Sequence, residues 1–291
     1  MLTHSFDAIT AALPLKPRTF LRFIWRLGYI PNFRNPKTFN EKLNARKFSS
    51  ASDVLTLCSD KILVKDYVSS IIGPDVLIPT YHTAKRANPE DIKAVIKKNG
   101  PIALKPNHGS GTIEFLDQDS TDEHIHSSCE AVNESLRYDH GKSTGEHWYS
   151  KISRRILAEQ DLRTLNAGEI PLDYKFHVFG NRDKSKQRLI LQVDFDRFSN
   201  HHRSFFDEEL HWLPIFCKYP TLKTSLQPPS NFQQMLDFAK ILAQPFTYAR
   251  IDFYNVYNRI YFGEMTFCHE SGFGKFPSKA YDLWIGNLWN K

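Results

Sequence analysis

Asp252 and Glu264 are the two acids whose placement most invites chemistry. They stand in the runs Arg250-Ile-Asp-Phe253 and Tyr261-Phe-Gly-Glu-Met-Thr266, on either side of an Asn255-Val-Tyr-Asn-Arg259 turn. Both runs alternate apolar and polar residues, and asparagine tolerates the positive φ that tight hairpin turns need, so the segment reads as a β-hairpin. With the turn centred on Asn258, Asp252 lies opposite Glu264 and Arg250 opposite Thr266. Side chains alternate across a strand, so these four share one face and Ile251, Phe253 and Met265 face a core. Two carboxylates directly opposite on a hairpin stand about 5 Å apart at Cβ and repel. A divalent cation between them offsets the repulsion. Pairing with Arg250 and Arg259, or plain exposure to solvent, does so as well.

A second feature is Pro101-Ile-Ala-Leu-Lys105-Pro-Asn107-His108-Gly109-Ser110-Gly111-Thr112. A lysine at the end of an apolar strand is followed by a loop whose backbone N–H groups can face phosphate oxygens. The spacing is neither that of a P-loop nor of a dinucleotide fingerprint. Taken alone, the loop also reads as a simple strand connector.

The elements around these features interleave. Residues 5–70 read as mostly helical, with Thr38 and Glu41 forming a capping box. A helix starts at Ser59-Asp60-Lys61, runs to Ile72 and is stopped by Gly73-Pro74. Leu77–Tyr81 reads as a short strand, and Asn88-Pro89-Glu90-Asp91 opens a helix to Lys98. Thr121–Leu136 is a further helix. Arg155–Ala158 is a strand ending in Glu159, Tyr174–Phe179 and Leu189–Phe195 are strands, and Gln233–Leu242 is a helix. The proline-containing segment 199–230 reads as irregular, a candidate substrate loop. Strands mixed with helices give an α/β or α+β protein.

A chain of 291 residues with 41% apolar and 24% charged residues is long enough for one large domain or two to three small ones. The net charge of +6 suits anionic partners. The basic residues are scattered, which disfavours nucleic acid. Cys58, Cys129, Cys217 and Cys268 form no CxxC pair, consistent with reduced thiols in a cytoplasmic protein. The basic, aromatic segment Leu13–Tyr29 is too interrupted by charge to span a membrane. As a helix it can rest on an anionic membrane surface, at the inner face, or dock on its own protein.

These features, in order, resemble the ATP-grasp superfamily: Lys61 at a helix start, Lys105 before a Gly/Ser loop, a strand ending in Glu159-Gln160-Asp161-Leu162, and the Arg-x-Asp hairpin. Asn35–Leu43, Leu104–Gly111, Asp173–Phe176 and Tyr261–Phe267 with Ser271-Gly272 resemble more closely the TupA-like ATP-grasp family of surface-polysaccharide gene clusters. The resemblance implies an α+β ATP-grasp fold with two subdomains clasping ATP: a helical segment over 1–60, a lid over 61–160 and a large half over 161–291.

It also implies roles. Lys61 and Lys105 would hold the ATP phosphates, and the loop Asn107, His108, Gly109, Ser110, Gly111 and Thr112 would close over them. Glu159, Gln160 and Leu162 would read adenine, and Asp173 the ribose. Lys175 and Arg250 would serve the transferring phosphoryl group. Asp252 and Glu264 would hold Mg²⁺, with Thr266 where many ATP-grasp ligases carry asparagine, and His269 or Glu270 as substitutes. Ser271 and Gly272 would stand on the substrate side. The implied reaction is amide formation through an acyl phosphate with release of ADP. The acid would be a sugar or peptide carboxylate and the amine an amino acid, in capsular or surface-polysaccharide synthesis. An ATP-grasp-fold sugar kinase and a non-catalytic basic glycan-binding protein are the other readings.

Asp194, Asp196 and Arg197 close one strand before Asn200-His201-His202-Arg203. Arg197 and Arg203 suit recognition of a substrate carboxylate, beside the alternative of a solvated loop. Adjacent histidines point apart on a strand, which disfavours zinc at His201 and His202. His177 reads as a strand-surface histidine, and Trp284 and Trp289 as packing anchors.

Overall fold

The structure, a computed structural model, describes residues 10, 12–49, 52–168, 171–180, 186–195 and 200–289. Asp196 and Arg197 lie outside the described residues. Two antiparallel sheets organise the chain. The first holds β1 (Thr80–Ala84), β2 (Ile102–Pro106), β3 (Glu114–Leu116) and β4 (Ile156–Gln160) in the order β1-β4-β2-β3. The second holds β5 (Asp173–Phe179), β6 (Arg188–Phe195), β7 (His202–Phe206), β8 (Trp212–Leu213), β9 (Tyr248–Val256) and β10 (Arg259–Thr266) in the order β10-β9-β5-β6-β7-β8. Each named ladder is antiparallel, so the arrangement is α+β.

The N-terminal helices are α1 (Leu15–Leu27), α2 (Phe39–Arg46), α3 (Asp53–Ser59) and α4 (Val64–Ile72). Helices α5 (Pro89–Asn99) and α6 (Asp122–Ser135) cover the first sheet, burying Ile92, Ile96, Ile125 and Val132 against Ile102 and Leu104. Asn88 and Thr121 cap them through side-chain oxygens. Short α7 (His140–Thr144) follows. Helix α8 (Phe232–Ala243) buries Met235, Ala239 and Leu242 in the core that receives Phe176, Ile251 and Phe253 of the second sheet.

Three expectations change. Helix α4 begins at Val64, because the Asp60 carboxylate accepts from the Ile62 nitrogen at 2.8 Å and holds 60–63 as a turn. The strand expected over Leu77–Tyr81 starts at Thr80, since Pro79 has no N–H for a ladder. The segment read as irregular carries β7 and β8. Strand β7 escaped notice because its buried face includes Arg203, whose charge hides the alternation that marks a strand.

Helix α1 docks on its own protein: Phe23 is buried edge-on to Tyr29 and Phe33, and Arg18 donates to the Lys142 carbonyl at 3.0 Å. Among the described residues, no helix is long and apolar enough to cross a membrane.

The Asn35–Leu43 segment seats the C-terminal helix α9 (Lys279–Leu288). The Thr38 capping box is present. Asn40 donates from its backbone and side chain to the Asp282 carboxylate at 2.9 and 2.8 Å, and from Nδ2 to the Gly274 carbonyl at 2.8 Å. Lys42 Nζ reaches the Gly286 and Trp289 carbonyls at 2.7 and 2.5 Å. Trp289 packs in the core, whereas Trp284 is exposed. Truncating Asn40 strips side-chain donors from buried acceptors. Asn40→Ala is therefore expected to lower stability by about 1–3 kcal/mol, read from the urea midpoint; a change no larger than that of an exposed control substitution would contradict this role.

Candidate active site

The hairpin pairs Asp252 with Glu264 and Arg250 with Thr266, by a route other than a turn centred on Asn258. The tight turn is Tyr257-Asn258, both at positive φ, joining Val256 to Arg259. The register set by that turn alone would put Glu264 opposite Ile251, on the core face. A bulge at Gly263 adds one residue between Phe262 and Glu264 and returns Glu264 to the face of Asp252. A Cβ on Gly263 would stand 3.2 Å from the Asp252 carbonyl oxygen and 3.2 Å from the Tyr254 ring.

On that face the two acids are bridged by Arg250. Its Nε donates to Asp252 Oδ1 at 2.7 Å, and its Nη2 to Asp252 Oδ2 at 2.7 Å and Glu264 Oε1 at 2.9 Å. Arg259 takes no part in the bridge; it lies over the Tyr261 ring. Lys175, opposite Asp252 on β5, donates to Asp252 Oδ2 at 2.7 Å and Asp173 Oδ2 at 2.5 Å. Burial alone would raise the Asp252 carboxyl, but Arg250 and Lys175 outweigh it and hold it below the usual range. Thr266 Oγ1 stands 3.5 Å from Glu264 Oε1. Two carboxylates with a neighbouring hydroxyl are hard oxygen donors that fit Mg²⁺. A carboxylate has about four lone-pair sites, so Asp252 can serve a cation while keeping its partners.

The face opens on a cleft of 280 Å³ between the two sheets. Lys61, Lys105, Gly109, Ser110, Gly111, Thr112, Glu159, Gln160, Leu162, Lys175, Asp252 and Glu264 all line it. Lys61 is docked to the loop: its nitrogen donates to the Asn107 carbonyl at 2.9 Å and its Nζ to the Gly109 carbonyl at 2.6 Å. Gly109 and Gly111 sit at φ 69° and 104°, where a side chain would be strained. Lys105 pairs with Glu159, as does Lys65 at 2.5 Å.

Other expected residues are placed differently. Asn107 is buried and turned inward, donating to the Ser153 carbonyl and accepting from the Arg155 nitrogen. His108 is buried, with Nε2 3.1 Å from the Tyr138 carbonyl. Asp173 is buried beneath Lys175 and is not on the cleft wall. The Gln160 nitrogen is bonded to the Pro79 carbonyl. Sequence reasoning missed Lys65, which stands on α4 and pairs with Glu159. It also missed Arg163, which pairs with Asp161 at 2.6 Å and lies over Phe115.

A second chamber of 420 Å³ continues from the first, sharing Gly109, Ser110, Lys175, His201, Tyr219 and Glu264 with it. Asp194, Arg203, Thr266, Glu270 and Ser271 line it. Arg203 is locked to Asp194 at 2.7 and 3.1 Å and to Glu270 at 2.8 Å. Ser271 Oγ donates to Glu146 at 2.8 Å. Gly272 is buried, its carbonyl accepting from Asn44 at 2.6 Å. His201 stacks on Tyr219, and His202 turns to the Asn200 carbonyl. His269 backs Arg250 at 3.2 Å and is buried, leaving Glu270 as the one of that pair facing the chamber.

Two sheets that grip a cleft between a lysine-bearing loop and an acid-bearing hairpin define an ATP-grasp protein. A profile of the TupA-like ATP-grasp family matches residues 41–290, and the chain belongs to that family. Comparison with curated protein sequences gives no match. Among solved structures, D-alanine–D-alanine ligase from Helicobacter pylori is similar at 15% identity and TM-score 0.49, over 80% of this chain and 60% of that one. The biotin carboxylase domain of Hydrogenobacter thermophilus 2-oxoglutarate carboxylase, with MgADP, ADP and bicarbonate, is similar at 17% and 0.44, over 73% and 40%. The macrocyclase MdnC of Microcystis aeruginosa, bound to its precursor peptide, is similar at 14% and 0.38, over 80% and 62%. The chain thus spans less than two thirds of each of these structures.

His177 is buried rather than at a strand surface, its ring between Tyr248 Oη at 3.0 Å and Gln192 Oε1 at 3.1 Å. Burial, then the Arg250 charge, push it from 6.5 to about 3. The unfolded chain therefore takes up this proton first as pH falls. The stability that His177 contributes is complete above 6.5 and is lost progressively between 6.5 and about 3. Urea unfolding is expected to show a pH 7-to-5 stability loss smaller by about 2 kcal/mol in His177→Gln than in the native protein; an identical loss would refute the assignment.

Proposed function

We propose that the protein is an ATP- and Mg²⁺-dependent ligase joining a carboxylate to an amine. The observation that carries the reading is the meeting of Lys61, Lys105, the Gly109–Thr112 backbone, Lys175, Asp252 and Glu264 on one cleft, in a member of this family. A carboxylate is a poor electrophile, and its charge repels the ATP phosphates. A site that phosphorylates it must gather cations.

Lys61, Lys105 and the loop amides would hold the phosphates, with the loop as part of a lid over 61–160. Leu162 would offer its backbone to adenine and Gln160 its carbonyl, since the Gln160 nitrogen is engaged. Asp173 would act on ATP through Lys175 rather than by touching ribose. Asp252 and Glu264 would hold Mg²⁺, with Thr266 steadying Glu264. When bound, the ion offsets phosphate charge. Arg250 and Lys175 would neutralise the transferring group. Transfer of that group to the acid gives an acyl phosphate and ADP; attack by the amine then forms the amide and releases phosphate. The acid is proposed to belong to a uronic acid or peptide of a surface polysaccharide, and the amine to an amino acid, on the family resemblance, at the cytoplasmic side.

With MgATP, D-glucuronate and hydroxylamine as the amine, the expected products are a hydroxamate, ADP and phosphate. A phosphorylated sugar formed without any amine requirement would replace the ligase by a kinase. Failure to bind nucleotide would leave an anion-binding protein without turnover. Glu264→Gln is expected to lower turnover about 100-fold or more while circular dichroism and melting stay native; full activity would overturn the metal assignment.

A further inference from the structure

The second chamber holds a histidine besides the groups that would grip ATP. His140 opens α7 and lines this chamber but not the nucleotide cleft, whereas Gly109, Lys175 and Glu264 line both. His140 therefore stands on the side from which an amine would reach the transferring group. A Cβ at Gly109 would lie 3.5 Å from the His140 Cβ, Cγ and Nδ1, so the ring rests against the loop proposed to cover the phosphates. It meets the Tyr149 ring edge-on at 4.9 Å between centroids, and the Tyr138 ring at 6.4 Å. These contacts set the ring plane without using a nitrogen. The chain behind it is fixed: Asp139 accepts from the Lys142 nitrogen at 2.8 Å and from Ser150 Oγ at 2.6 Å.

His140 is partly exposed, and its ring nitrogens hold no hydrogen bond to a described residue. The other proton acceptors on this wall are engaged. Asp194 and Glu270 hold Arg203, Glu264 holds Arg250, and Glu146 takes the Ser271 hydroxyl. His201 stacks on Tyr219 with its Nε2 3.6 Å from Asp194. Burial, then the Lys61 charge, push the His140 imidazole from 6.5 to about 4; His108 acts in the same sense, and Asp139 and Glu264 oppose it. The ring is thus uncharged at neutral pH and can accept a proton. Phosphates bound at Lys61 would cancel part of the depressing charge and strengthen the base once nucleotide is in place.

We propose that His140 is the general base for the amine, taking a proton from its ammonium form so that the nitrogen can attack the acyl phosphate. This deepens the ligase reading and rests on it. An amine that arrives as an ammonium must lose two protons to become an amide nitrogen. An imidazole nitrogen of His140 accepts the first. The freed lone pair forms the C–N bond, and the C–O bond to phosphorus's oxygen breaks with its electron pair. The departing phosphate carries away the second proton, and the imidazolium returns its own to water.

Hydroxylamine and methylamine are nearly equal in size and test this step. Hydroxylamine is uncharged at pH 7, and its one surplus proton can leave with phosphate. Methylamine is almost wholly protonated there and needs the base. With MgATP and D-glucuronate, the native protein is expected to form both the hydroxamate and the methylamide. His140→Gln is expected to lower methylamide formation about 100-fold and hydroxamate formation far less, so that the ratio of the two products falls about 10-fold or more. Raising the pH from 7 to 9 should restore the variant's methylamide rate as free methylamine increases. Equal losses with both amines, an unchanged methylamide rate, or native protein that makes hydroxamate but no methylamide would overturn the proposal. Absence of hydroxamate from the native protein would instead count against the ligase reading. Diethyl pyrocarbonate, which acylates uncharged, open imidazoles, reads the ring without turnover. Peptide mass spectrometry is expected to find His140 labelled alongside the exposed His124 and His126; His140 left unlabelled while those two react would overturn the proposal.

Discussion

The guanidinium of Arg250 between Asp252 and Glu264 is the interaction on which this site depends. It sits in a row of charges laid across the second sheet by strand register: Glu264, Asp252 and Lys175 on neighbouring strands, with Asp194 and Arg203 paired one step along. Apart from Glu264, these groups are largely buried. Removing one member of a buried pair leaves its partner uncompensated, at a cost of about 3–5 kcal/mol. The row thus holds as a unit, with the apolar face of the same strands packed on α8 beneath it. Central strand β5 is buried along its whole length because one face meets the core and the other meets the site.

The same lattice makes the cleft ready for anions. Arg250 orients both Asp252 and Glu264, so a divalent ion would find its oxygen donors in place rather than having to assemble them. Lys61 is held by carbonyls of the 107–109 loop, which couples the position of that ammonium to the loop. Glu159, between Lys65 and Lys105, secures the opposite wall. The N-terminal helices complete the second chamber: α2 seats the 268–274 segment through Asn40, Asn44 and Lys47, and α1 supplies its arginines.

The legible part was local. Alternation in the hairpin, the capping box at Thr38, the helix opening at Asn88 and the strand before Lys105 could each be read because they rest on neighbours within a few residues. The face shared by Arg250, Asp252, Glu264 and Thr266 was also legible, although the bulge that produces it was not, since Gly263 reads equally as an ordinary strand glycine. Strand β7 was missed because Arg203 is buried only by virtue of Asp194 and Glu270, neither of them adjacent in sequence.

By itself, the sequence determined the residue types, the order of the lysines, glycines and acids, and the two-residue period that aims them. Tertiary structure decided which of them face the cleft. Asn107, His108 and Asp173 turned inward to satisfy buried partners, while Arg22 and Arg26 reached the second chamber from α1. Periodicity reports which side of an element a residue occupies. Only packing, through the demand that every buried charge and amide find a partner, decides what lies on that side.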